Sequence, residues 1–215
     1  MPFTRLEIAV MSLVEGRLQV LLARRAQAPY SGKWALPGGV LRIDLDASLE
    51  DAARRVMRER LGTELPYLRQ LRAVGGPTRD PRAPWAISIV FRGLVPISEI
   101  QATPGKRIEA LRWFAVDELP GKSEFAFDHA VLILDAVHET RKAIEVLQLP
   151  TEFLPPEFTL GELQATCEQL LGRRLDKSSF RRRLRDAALL EPMDGKMRTG
   201  PFRPAQLYRP AVSTS

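Results

Sequence analysis

Three stretches of the chain carry side chains whose type and spacing bear on chemistry. The loop Leu36-Pro37-Gly38-Gly39 leads into residues 48–62, which hold Glu50, Asp51, Arg55 and Glu59. Residues three or four apart share a helix face. Carboxylates at that spacing would gather around a hard divalent cation, which takes oxygen ligands. Such an ion can neutralise an anionic substrate and activate water. The second stretch, Arg79-Asp80-Pro81-Arg82, offers forked guanidinium groups that suit an anion. Lys33 and Trp34 add a phosphate partner and an aromatic face for a base. The third follows Asp176: Lys177, Ser178, Ser179, Arg181, Arg182 and Arg185, with Lys196, Arg198 and Arg203 beyond. Arginine reads guanine edges bidentately, and serine reaches base edges or phosphates. Each feature has a plainer reading. Residues 48–62 make a good amphipathic helix, Glu59 suits pairing with Arg55, the tryptophans suit packing, and Arg79–Arg82 suits a turn with an internal Arg–Asp pair.

The elements that must position these groups follow from periodicity. Leu6, Ile8 and Val10 alternate, and with Leu18–Leu22 across a Glu15-Gly16 turn they predict a hairpin. Residues 26–39 read as a long loop. Ser48 caps a helix whose stripe is Ala52, Ala53, Val56, Met57 and Leu61, stopped by Gly62. Strands are expected around 67–74, 85–95 and 109–114, then a helix over 125–147 with Phe127, Val131, Leu134, Val137, Ile144 and Leu147 as its stripe. This order implies a mixed sheet with helices on its faces, an α/β architecture. Residues 149–156, with three prolines, read as a linker between domains 1–148 and 157–215. Beyond it, Thr159 and Glu162 form a capping box for a helix with Leu160, Leu163, Cys167, Leu170 and Leu171 inward. A helix over 177–189 turns Phe180, Leu184 and Ala188 inward. A strand, a Met193–Lys196 turn and a return strand, Pro204–Arg209, follow. Helix, helix, β-ribbon is a winged-helix order.

Charge sharpens the contrast between the halves. The chain is +6 overall, which permits nucleic-acid binding without requiring it. Residues 151–170 hold four acids and no Lys or Arg, whereas 171–210 hold eleven Lys or Arg against four acids, a net +7. A single cysteine, Cys167, excludes an internal disulfide and a Cys-based metal cluster, and fits a reducing cytoplasm. No apolar run reaches the roughly 20 residues that span a bilayer, and the first residues lack a signal-peptide core. No metal and no cofactor are expected.

Trp34–Gly62 resembles the Nudix family, whose motif is G-x5-E-x7-R-E-U-x-E-E-x-G-U, U being bulky and apolar. Leu36-Pro37-Gly38-Gly39, Arg55, Glu59 and Gly62 carry the match. Anchored on Arg55, most acids of the motif are replaced. Ala47 stands at the first glutamate, Val56 at the second and Arg60 at the last, and the loop after Gly39 is two residues longer. Such a site is expected to bind without hydrolysing. The resemblance implies an effector site at Lys33, Trp34, Gly38, Gly39, Arg55, Glu59, Arg79 and Arg82. The rival reading is a pyrophosphohydrolase acting on a nucleoside diphosphate derivative through Glu50, Asp51 and Glu59.

With its second half included, the chain resembles the Nudix-related transcriptional regulators of bacteria. The match runs through Arg79–Arg82, Trp113-Phe114, Phe127-Asp128-His129, Phe158–Leu160, Phe180–Arg182 and Arg203–Arg209. That resemblance implies a homodimeric repressor of cofactor-synthesis genes in NAD metabolism, on double-stranded operator DNA. Its Nudix domain would sense ADP-ribose or another nucleotide or sugar-phosphate effector. A third possibility is an adaptor using the rear helices for protein contact.

Overall fold

The computed structural model describes residues 2–65, 68–199 and 204–211. They fall into two compact units, Met1–Glu139 and Thr140–Ser215.

The first unit is built on β1 (Phe3–Val14), which has neighbours along both edges. It turns through Glu15-Gly16 into β2 (Arg17–Arg25), both turn residues having positive φ, as a tight hairpin between twisted strands demands. Two short strands, β3 (Trp34–Ala35) and β4 (Gly38–Val40), interrupt the stretch expected to be loop; β3 joins β2 and β4 joins β1. After α1 (Leu49–Leu61) come β5 (Arg69–Gly76), β6 (Ala86–Leu94) and β7 (Ile108–Ala115). The sheet order is β3-β2-β1-β6-β5, with β7 on β2, and β1 runs parallel to β6. It is therefore the expected mixed sheet.

Alternation along β1 sends Leu6, Ile8 and Val10 into a core with Ala52, Ala53, Val56, Met57 and Leu61 of α1, plus Phe91 of β6. The other face is also buried, and there Glu7 lies beside His129 at the start of α2 (His129–Glu145). Helix α1 ends as expected, with Ser48 accepting from the Asp51 amide and Gly62 left-handed at the C-cap. The expected stripe of α2 needs correction. Val131 and Leu134 are exposed, while Leu132, Ile133, Ala136 and Val137 are buried. The helix starts at His129 rather than 125, and Val137 and Ile144 of the expected stripe are buried as expected.

The second unit holds β8 (Phe158–Thr159), α3 (Leu160–Leu171), α4 (Lys177–Asp186), β9 (Leu190–Arg198) and β10 (Ala205–Pro210), with sheet order β8-β10-β9. Thr159 Oγ1 accepts from the Glu162 amide at 3.1 Å while the Glu162 carboxylate accepts from the Thr159 amide at 2.7 Å. Phe158, Leu163, Cys167, Leu170, Phe180 and Leu184 form the core. Burial pushes the Cys167 thiol up to about 12, so it stays a neutral packing group. Two expectations fail here. Helix α4 ends at Asp186, and Ala188, with positive φ, is exposed rather than inward. Met193–Lys196 is not the ribbon's tip but a bulge within β9, since Gln206 pairs with Met197 and Tyr208 with Pro192. The Gln206 amide donates to the Met193 and Lys196 carbonyls, holding the bulge. The contact division lies within α2, so residues 149–156 belong to the second unit.

Thr159→Ala removes the hydroxyl half of the capping box and is expected to cost about 1 kcal/mol of second-unit stability, read as an earlier urea midpoint. A pH effect is expected in the first unit. His129 accepts from the Leu36 amide through Nδ1 at 2.9 Å, and burial holds its pKa below the ordinary value against the opposing pull of Glu7. The unfolded chain takes up a proton near pH ~6.5 that the fold refuses. This contribution to stability is fully present above that pH and lost as pH falls below it. Urea midpoints followed from pH 7 to 5 should decline, and less steeply in His129→Asn, whose amide oxygen accepts in place of Nδ1.

Candidate functional site

The diglycine corner is shaped by what presses on it. A Cβ at Gly38 would lie 1.9 Å from Glu7 Oε2, and one at Gly39 would lie 2.6 Å from Val56 Cγ2. Val56 is thus a core residue wedged under the corner, fully buried. Arg55 ties the corner to α1. Its Nε and Nη2 reach both Asp46 oxygens at 2.7 and 2.8 Å, Nη2 also donates to the Val40 carbonyl at 2.9 Å, and Nη1 meets Glu59 at 3.3 Å. The Arg55 hydrogen bonds hold Asp46, whose side chain is nearly sealed from solvent, below the usual carboxylate range. Asp46 thus partners Arg55 beside Ala47. The motif spacing counted back from Arg55 falls on Ala47, and the acid that meets Arg55 is its neighbour Asp46.

Beside this corner opens a cleft lined among others by Arg5, Arg24, Arg25, Gly38, Arg60, Arg82, Lys106 and Arg107, with no carboxylate residue in its lining. Arg60 donates through Nε to the Gly38 carbonyl at 3.0 Å and through Nη1 to the Lys106 carbonyl. The loop carrying Lys106 and Arg107 is laced to the end of α1. The Thr103, Gly105 and Lys106 amides donate to the Leu61, Arg60 and Glu59 carbonyls. The approach is so close that a Cβ at Gly105 would sit 2.2 Å from the Glu59 carbonyl oxygen. Burial, then the nearby Arg107, lowers the Arg60 pKa; burial, then Arg5 and Arg82, lowers that of Arg25.

Acids stand behind the cleft. Arg5 pairs with buried Glu7 at 2.8 Å, and Arg82 grips buried Asp80 with two hydrogen bonds. Burial opposes ionisation of Asp80, but the Arg82 bonds and Arg5 together keep its pKa low. Arg79 is turned elsewhere, to Asp128 and to Ser88 Oγ. Phe127, with positive φ, presents its ring to Arg5, Arg25 and Arg82 at 5.2–5.8 Å.

Of the residues expected at an effector site, Gly38 and Arg82 line the cleft. The rest lie outside its lining. Lys33 faces Glu124 at 3.9 Å, and Trp34 packs edge-on to Phe114. Gly39 packs on Val56, Arg55 and Glu59 pair with each other, and Arg79 is held by Asp128. Sequence reading missed Arg5, Arg25, Lys106 and Arg107. The available signal was charge inside apolar strands: Arg5 in the most buried strand and Arg24-Arg25 ending β2.

In the second unit, Asp176 caps α4 by accepting from the Ser179 amide at 2.8 Å. Phe180 and Leu184 face inward; Lys177, Ser178, Ser179, Arg181, Arg182 and Arg185 are all exposed. Lys177, Arg181 and Arg182 form no salt bridge among the described residues, and Arg185 meets only Asp186, at 3.9 Å. Lys196 pairs with Glu157 and Arg198 with Glu162, so these two cations are partly compensated. Arg203 lies outside the described residues.

Comparison with known proteins follows the same division. The NUDIX domain model matches residues 4–135, and the NrtR DNA-binding winged helix domain model matches residues 150–209. The ADPR responsive transcriptional repressor NtrR of Acinetobacter baylyi is 35% identical over 211 residues, 98% of this chain and 83% of that protein. The crystal structure of Shewanella oneidensis NrtR complexed with a 27mer DNA superposes with TM-score 0.76 at 32% identity, covering 97% of this chain and 93% of that one. The NUDIX domain of the same Shewanella protein, complexed with ADP ribose, gives TM-score 0.57 at 28% identity over 65% of this chain and 88% of that one. The chain therefore belongs to the NUDIX family, in the branch whose members carry an NrtR DNA-binding winged helix domain.

Proposed function

We propose that the protein is a sequence-specific DNA-binding transcriptional repressor whose Nudix unit senses ADP-ribose or a related nucleotide and leaves it intact. One observation carries this reading. The cleft at the diglycine corner is lined by cations without a carboxylate residue, while a second set of cations covers the outer face of α4. The first set suits a diphosphate and the second suits DNA. The related repressor named for its response to ADPR, and the related structures with DNA and with ADP ribose, support both halves.

Hydrolysis in this fold calls for magnesium, and the residues present do not fit it. Among the described residues, no three His, Cys, Asp or Glu side chains group as a metal site. Val56 is core, Arg60 lines the cleft, Glu59 is engaged by Arg55, and Asp51 faces Ser48 and Arg54. The rival pyrophosphohydrolase reading through Glu50, Asp51 and Glu59 therefore lacks a metal cradle.

Residues 1–148 serve in this reading as the effector domain, 149–156 as the connection and 157–215 as the DNA-binding domain. Two copies, acting in the cytoplasm on genes of NAD metabolism, place two α4 helices on a palindromic operator. Arg181, Arg182 and Ser178 on the exposed face of α4 read bases, with Lys177, Arg185, Lys196, Arg198 and Arg203 on phosphates.

A gel shift with DNA from upstream of the protein's own gene checks the DNA half. Specific binding is expected, and Arg181→Glu/Arg182→Glu should weaken it by on the order of hundredfold, about 1–3 kcal/mol per base-reading arginine. Retained binding by that folded variant would favour a protein-contact role for the helix. Incubating the protein with ADP-ribose and magnesium should release no AMP. Brisk turnover that Glu59→Gln abolishes would establish the enzyme instead.

A further inference from the structure

The cations of the cleft differ in how they are compensated. Arg5 and Arg82 have buried acidic partners in Glu7 and Asp80, and Arg24 meets Glu109 at 3.5 Å. Arg25, Arg60, Lys106 and Arg107 form no salt bridge among the described residues. Arg25 and Arg60 are held instead by neutral carbonyls. Arg25 Nε donates to the Pro29 carbonyl at 2.8 Å, and Arg60 donates to those of Gly38 and Lys106. A carbonyl fixes a guanidinium in place without cancelling its charge. Four net positive charges thus converge on one partly desolvated space.

We propose that this cleft binds the diphosphate of its ligand without any divalent cation, Arg60 with Arg107 and Lys106 supplying the neutralising charge that a metal ion otherwise brings. The inference rests on the reading of the Nudix unit as an effector site and goes further by assigning the charge partner. The physical grounds are local. A divalent cation entering the cleft meets uncompensated like charge and no carboxylate residue in the lining. A diphosphate meets forked donors, which bind phosphate oxygens in pairs. Burial first, and then neighbouring arginines, lower the pKa of Arg25 and Arg60, in keeping with the same excess of positive charge. Arg60 is also built in rigidly, bridging the diglycine corner and the 103–107 loop.

Isothermal titration with ADP-ribose and, separately, inorganic pyrophosphate tests this, each in EDTA and in millimolar magnesium. ADP-ribose affinity is expected to agree within about threefold between the two conditions. Arg60→Gln and Arg107→Gln, each checked for an unchanged melting temperature, are expected to lose tenfold or more in EDTA. Should Arg60→Gln not fold, exposed Arg107→Gln carries the test. Binding that appears only with magnesium overturns the inference and leaves the effector reading standing, as does binding in EDTA that neither substitution weakens. Pyrophosphate bound in EDTA with ADP-ribose rejected supports the metal-free anion site and overturns the effector assignment. Rejection of both in both conditions overturns the two together.

Discussion

Uncompensated positive charge held against its own repulsion is the constraint on which this molecule is arranged. In the first unit it is confined by a frame. The mixed sheet holds β1 in its middle, so Arg5 and Glu7 can be buried as a pair, and α1 brings Arg60 across to the diglycine corner. Crowding cations in a low-dielectric cleft costs free energy that the apolar core on both faces of the sheet must supply. That strain is a reason for the cleft to take up an anion, because a ligand's negative charge relieves it.

Two arginines five residues apart on the Nudix helix show how position decides role. Arg55 is sealed against Asp46 and the Val40 carbonyl and acts as a clamp on the loop. Arg60 is one and a half turns further on and emerges at the cleft, where only carbonyls hold it. The same type of side chain is a structural tie in one place and a cleft-lining charge in the other. In the second unit the separation is simpler. Phe180 and Leu184 fix one face of α4 to the core, and the remaining positions, exposed and cationic, have little acidic company.

Much of this could be read from residue order. The hairpin, the capped α1, the capping box of α3 and the inner pair Phe180 and Leu184 follow from alternation, helical spacing and cap residues, all local rules. The face of α2 was legible only in part: Val137 and Ile144 are buried as their spacing predicts, but Val131 and Leu134 are exposed, and Phe127, with positive φ, lies before the helix, which starts at His129. The β-ribbon was misread at Gly195, where a positive φ serves a bulge stapled by Gln206 rather than the tip. The site was legible as a diglycine corner with missing acids, but not as a cationic cleft. Arg5, Arg25 and the adjacent pair Lys106-Arg107 are far apart in sequence and meet only through strand pairing and the lacing of 103–107 onto α1. Asp46 escapes the motif spacing because it stands one residue before the counted position, Ala47, and only the fold shows it gripping Arg55.

The proposed coupling between the cationic cleft and the exposed face of α4 is itself measurable. Fluorescence anisotropy of labelled upstream DNA, titrated with the protein in EDTA with and without saturating ADP-ribose, reads it directly. DNA affinity should change with the nucleotide, and ADP-ribose affinity should change by the same factor when DNA is saturating, as linkage requires. DNA affinity untouched by a nucleotide that demonstrably binds, or a nucleotide consumed during the titration, would contradict it.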